Sequence, residues 1–193
     1  MTEFELLAIP LSLVLGLGIP QILSEVVAAI RNRERARLHW LPFAWAAWIF
    51  LVHIQFFFYL WDLYEMQVIW TWGQFGPVLW HVVLLFLAAG LILPGPRERA
   101  RNGDLIDDFM QHGRLALIPL AVVTFDGILL NVFQFGDLWF GTANVLNMLI
   151  VALVATAFFT KGGWRATATL LLGGVLAYGM TYIWSSPGVP PGV

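Results

Sequence analysis

Six apolar runs, at 6–30, 39–60, 76–93, 115–133, 141–160 and 166–184, occupy most of this chain. Each is about 18–25 residues long, enough to cross a hydrocarbon layer of about 30 Å at about 1.5 Å per helical residue. A segment inside lipid must satisfy its own backbone, which leaves helices or a closed barrel. Barrel strands would alternate polar and apolar residues, and these runs do not. The expected fold is therefore all-α: a polytopic bundle of six transmembrane helices forming one integral membrane domain over residues 1–193. The tail 185–193, rich in Pro and Gly, is expected to be disordered.

Composition agrees. The chain is 60% hydrophobic and 11% charged, whereas a soluble domain carries about 25% charged residues. So few charges cannot cover a water-facing surface, and lipid is the expected partner of the excess apolar area. The net charge of −2 indicates no nucleic acid partner. The absence of cysteine excludes disulfides, thiolate metal sites and cysteine nucleophiles together. The first residues, Met1, Thr2, Glu3, Phe4 and Glu5, are acidic where a cleaved signal peptide is basic, so the first run is expected to stay as a span.

The basic residues set an orientation. All ten Lys and Arg lie in three short loops: Arg31, Arg33, Arg35 and Arg37; Arg97, Arg99, Arg101 and Arg114; and Lys161 with Arg165. Positive loops stay in the cytoplasm. Six alternating spans then put the N-terminus and the C-terminus both on the non-cytoplasmic side, and short loops suggest a plasma membrane of the bacterial inner-membrane kind. Trp61, Trp70, Trp72, Trp139 and Trp184 fall at expected outer boundaries and Trp40 and Trp164 at inner ones, where indoles anchor. Trp45 and Trp48 lie deeper and are expected to pack between helices. The outer loop 61–75 suits an amphipathic segment lying on the membrane. In the loop 94–113, Asp104 is placed to cap a short helix over 105–111.

Two further patterns bear on architecture. IPLSLVLGLGI from Ile9 resembles IPLAVVTFDGI from Ile118, which suggests a weak 3+3 inverted repeat of the kind found in transporters. Pro10, Gly16, Gly18 and Pro20 are expected to break or kink the first helix. Thr169, Gly173, Ala177 and Thr181 form a small-residue stripe for helix packing, inside the bundle or between subunits.

Polar groups inside spans carry the functional expectation, because each costs free energy. Asp126 falls near the centre of the fourth run, where a carboxylate costs about 2.5–3.5 kcal/mol on insertion scales. It must be protonated or given a donor, and no Lys or Arg lies in a span core. A histidine or an amide such as Asn144 or Asn147, three apart on one helix face, must answer it. His53 and His81 lie at similar depth on neighbouring spans. They suit axial ligation of a b-type haem, or proton transfer alongside Asp126. Glu25 is expected to pair with the Arg31–Arg37 cluster. His39, His112, Asp104, Asp107 and Asp108 gather near the cytoplasmic surface.

Phosphate loops, dinucleotide fingerprints, HExxH, GxSxG and potassium-filter motifs are all missing. The reading best supported is a small transporter or channel-like protein for protons or a small solute, with Asp126, Asn144, Asn147, His53 and His81 as candidate pathway residues and no metal site. The alternatives are a haem b redox protein on His53 and His81, and a non-catalytic subunit or homo-oligomer packed against partner helices. A membrane enzyme has less support. The orientation is testable because the chain has no native cysteine. A cysteine introduced at Ser186 should react with an impermeant maleimide on intact cells, and one introduced at Arg99 only after permeabilisation.

Overall fold

The computed structural model describes residues 3–34, 37–65, 72–95, 104–134, 136–160 and 163–185. Among them are seven helices and no strand: α1 (Glu3–Arg31), α2 (Trp40–Glu65), α3 (Trp72–Ile92), α4 (Leu105–Gln111), α5 (Leu117–Gln134), α6 (Thr142–Phe159) and α7 (Gly163–Ser185). A short 3-10 turn, Gly113–Ala116, joins α4 to α5. Trp70, the loop residues 96–103 and the tail from 186 lie outside the described residues.

Five stretches are long and apolar enough to cross a membrane: Ala8–Arg31, Trp40–Trp61, Phe75–Ile92, Gly113–Phe133 and Thr142–Phe159. The expectation of six is met only in part. The apolar part of α7 among the described residues is Arg165–Ala177, shorter than the other five. These five helices are compatible with an integral membrane protein. Their outward faces support the same conclusion: Leu13 is 61% exposed, Phe58 62% and Leu149 47%. A surface of this kind would aggregate in water and is at home in lipid.

Helix ends differ from the apolar runs for physical reasons. α2 and α3 extend beyond them at the ends facing residues 66–71, because backbone hydrogen bonding continues past the last apolar side chain. Pro42 and Pro119 sit in first turns, where the missing N–H leaves no bond unmade. The first helix does not break: α1 runs unbroken through Pro10 and Pro20. His39 caps α2, its Nδ1 accepting the Leu41 N–H at 3.2 Å. Asp104 precedes α4 as expected, but its side chain does not cap that helix. It accepts the Arg37 N–H at 3.3 Å, while Leu105 N–H donates to Arg37 O at 3.3 Å. The α1–α2 and α3–α4 connections are thereby tied together.

The helices close a ring. α1 packs on α3, α3 on α5, α5 on α6, α6 on α7, α7 on α2 and α2 on α1, with α2 and α3 also in contact. Two apolar clusters fill it. One, toward the Arg37 end, is built from residues such as Ile22, Trp45, Ala88, Phe109, Leu117 and Leu172. The other includes Leu11, Leu15, Phe56, Val82, Leu85 and Val123.

Arg165 shows how such a bundle treats a charge. It was read from the sequence as a loop residue, yet it is buried, 2% exposed. Its Nε donates to Ala157 O at 2.7 Å and its Nη2 to Thr160 O at 2.5 Å, and Nη1 reaches Met110 Sδ. The guanidinium thus takes the orphan carbonyls at the end of α6, where the helix dipole favours a cation.

Two glycines set helix separations. A Cβ at Gly173 would come within 2.6 Å of Trp48 Cζ2, so this part of the small-residue stripe packs inside the bundle, against α2. Ala177 of the same stripe is exposed, and the side chain of Thr181 lies outside the described residues. A Cβ at Gly18 would overlap His53 Nε2. Gly18→Ala should therefore lower stability by about 1–3 kcal/mol, the usual cost of overpacking. The same change in a His53→Ala background should cost much less. Thermal unfolding of the four proteins measures this coupling, and equal costs would show that the two residues do not meet.

Candidate functional site

α3 and α5 pack side by side, and each carries an ionisable residue near its midpoint. His81 on α3 and Asp126 on α5 meet there: His81 Nδ1 lies 3.3 Å from Asp126 Oδ2. The side chains are 8% and 19% exposed, respectively. Asp126 thus finds its donor in a histidine, one of the two kinds of partner that the sequence allowed. Because the carboxylate is the natural acceptor, Nδ1 carries the hydrogen whenever Asp126 is ionised.

Aromatic residues hold the imidazole in place. Phe56 of α2 stacks on the His81 ring, with centroids 4.6 Å apart and planes 15° from parallel. Tyr59, one turn further along α2, contacts Phe56 at 5.2 Å and lies within electrostatic range of Asp126. Asn147 of α6 approaches from the other side. A Cβ at Gly127 would lie 3.7 Å from Asn147 Nδ2 and 3.9 Å from His81 Cε1, so the amide and the imidazole converge on the bare backbone beside Asp126. Four helices contribute to this cluster: α2, α3, α5 and α6.

The other candidates go elsewhere. Asn144, fully buried, does not join Asp126 in the described hydrogen bonding. Its Oδ1 accepts from Asn131 Nδ2 at 2.9 Å and its Nδ2 donates to Leu138 O at 2.9 Å, which braces the α5–α6 connection. His53 is also fully buried. Its Nδ1 donates to Ile49 O at 2.8 Å, since a carbonyl can only accept, and its Nε2 faces Gly18 of α1 without a hydrogen-bond partner. The two imidazoles expected to face each other therefore engage different helices, His53 addressing α1 and His81 addressing α5.

Glu25 is buried and accepts a hydrogen bond from Gln21 Nε2 at 3.4 Å. The groups expected to gather near the Arg37 end are divided among separate tasks. His39 caps α2, Asp104 binds the Arg37 backbone, and His112 Nδ1 lies 3.6 Å from buried Asp108 Oδ1, one turn away on the same segment. Among the described residues, no three His, Asp or Glu side chains come close enough to hold a metal ion.

Sequence reasoning singled out Asp126, His81 and Asn147 but not Phe56, Tyr59 or Gly127. Aromatic side chains are so frequent in this chain that nothing local marks these two. Gly127, directly after the only mid-span carboxylate, was the one available signal of close approach.

No family model, no curated protein and no solved structure matches this chain. The site is therefore read from its own geometry. If His81 and Asp126 support each other, His81→Gln and Asp126→Asn should each destabilise the folded protein. The double variant should then lose less than the sum, by about 1 kcal/mol, as for hydrogen bonds between membrane helices. Unfolding in mixed detergent measures the difference, and strict additivity would mean the contact carries no energy.

Proposed function

We propose that this chain is a small membrane transporter that moves protons, alone or with a small solute, using His81 and Asp126 as its proton-handling pair. The observation that carries the reading is their contact at the midpoints of two packed apolar helices. Two titratable groups at hydrogen-bond distance share one proton between them, as Asp126 carboxylate with imidazolium or as carboxylic acid with neutral imidazole. Both forms are neutral overall, so the pair is affordable in an apolar bundle. Gaining one proton makes it cationic and losing one makes it anionic. A device that binds and releases a proton at mid-membrane needs this change of charge. Asn147 supplies a neutral polar group beside the pair, suited to a water or a small polar solute.

The same reading takes α7 as a sixth span, with both termini on the non-cytoplasmic side and the arginine-bearing loops in the cytoplasm of a bacterial inner membrane. The resemblance between the segments at Ile9 and Ile118 fits a 3+3 inverted repeat. Haem b between His53 and His81 has less support. The imidazole nitrogen that would bind iron at His53 is packed against Gly18, and α1 would have to move away.

The test is proton flux in proteoliposomes carrying a pH-sensitive dye, driven by a potassium diffusion potential. Wild-type protein should acidify the lumen. Asp126→Asn, which keeps shape but cannot ionise, should lose at least about a hundredfold of the rate, the lower end of what a missing general acid or base costs. His81→Gln should lose a similar amount. Wild-type flux in a folded Asp126→Asn variant would overturn the proposal.

A further inference from the structure

Arg114 and Arg165 bring two positive charges together at the end of the bundle that carries the Arg37–Asp104 tie. Arg114 lies in the 3-10 turn before α5 and Arg165 in the first turn of α7. The two guanidiniums are close enough to repel each other. Arg165 is answered, because the end of α6 supplies two carbonyls and Met110 a sulfur. Arg114 is not. Its guanidinium carbon stands 5.8 Å from the centroid of the Phe158 ring, and its buried Nε–H has no acceptor among the described residues. The buried carboxylate of Asp108 lies 3.6 Å from His112 Nδ1 on its own segment, and Asp107 is exposed. A half-buried arginine beside a second one, with an unmet donor, is a site that lacks an anion.

From this arrangement we infer that Arg114 binds the phosphate of an anionic phospholipid. The paired Nη–H groups of an arginine match two oxygens of a phosphodiester. One negative charge there relieves the repulsion between the guanidiniums. The surroundings favour a lipid over free phosphate. Leu115 is 40% exposed, Ile118 48% and Phe159 80%, so apolar side chains continue from the arginine along the outside of α5 and α6, where acyl chains would lie. This inference rests on the membrane reading of the fold and is independent of proton transport.

Native mass spectrometry of the detergent-purified protein, titrated with phosphatidylglycerol or phosphatidylcholine, tests it. Wild-type protein should retain phosphatidylglycerol in preference to phosphatidylcholine, and Arg114→Gln should bind it at least about fivefold more weakly, the equivalent of about 1 kcal/mol per basic contact. Arg33→Gln, which removes an exposed charge elsewhere, should leave retention unchanged. If it weakens binding as much as Arg114→Gln, the effect is general surface charge and the site is refuted. Equal retention by wild type and Arg114→Gln refutes it as well. Arg114→Lys covers the case in which Arg114→Gln fails to fold. It keeps the charge without the fork and should bind more weakly than wild type, and undiminished binding would refute the fork. In a separate arm, sodium phosphate is added to protein in phosphatidylcholine. If it raises the melting temperature as phosphatidylglycerol does, the occupant is free phosphate and the lipid assignment falls.

Discussion

Removing a polar group from water without giving it a partner costs several kcal/mol in an apolar medium. The arrangement of this bundle depends on that penalty. Its helices satisfy their own backbones, so the remaining demand comes from helix ends and from the few polar side chains carried into the interior. Arg165 shows the demand met at a helix end, with three donors spread over the last carbonyls of α6 and a methionine of α4. Asn144 does the same for the α5–α6 connection, accepting from Asn131 and donating to Leu138 O. These polar contacts fix where helix ends lie, and the apolar clusters then fill the space between them.

The same penalty shapes the candidate site. An isolated Asp126 would be expensive at the middle of α5, and the answer comes from a different helix, through His81. The pair lies where α3 and α5 touch and where Phe56 of α2, itself packed on Tyr59, stacks on the imidazole. A proton shared by two groups of this kind allows charge to appear and disappear with little structural change. His53 contrasts with it. It is more deeply buried, but its Nδ1–H goes to its own helix and its Nε2 packs closely against α1. Similar depth in the chain did not give the two histidines similar surroundings.

Much of this is legible in the sequence. The apolar runs marked the long helices, and Asp104 marked the start of α4, because hydrophobic length and helix-start chemistry are local properties. The small residue Gly173 announced a close helix contact, although not that Trp48 would fill it. Other expectations failed where distant segments intervened. Asp104 was read as a cap, but the Arg37 N–H, from another connection, takes its carboxylate. Of the break or kink expected from Pro10, Gly16, Gly18 and Pro20, the break does not occur: the helix continues through both prolines, as happens when packing on neighbouring helices supports the backbone. Arg165 counts in the sequence only as a loop charge, because nothing in its neighbourhood reveals that the end of α6 lies within its reach.

The sequence alone determined the all-helical class, the apolar outer surface and the short list of intramembrane polar residues, since each follows from composition and period along one segment. Tertiary structure alone decided which of those residues meet. Asp126 meets His81 and not Asn144, His53 meets Gly18 and not His81, and Arg114 stands beside Arg165. The reason is physical. A helix presents its side chains around a full circle, and the azimuth and depth at which two circles touch depend on the packing of all the helices at once. No single stretch of sequence contains that information.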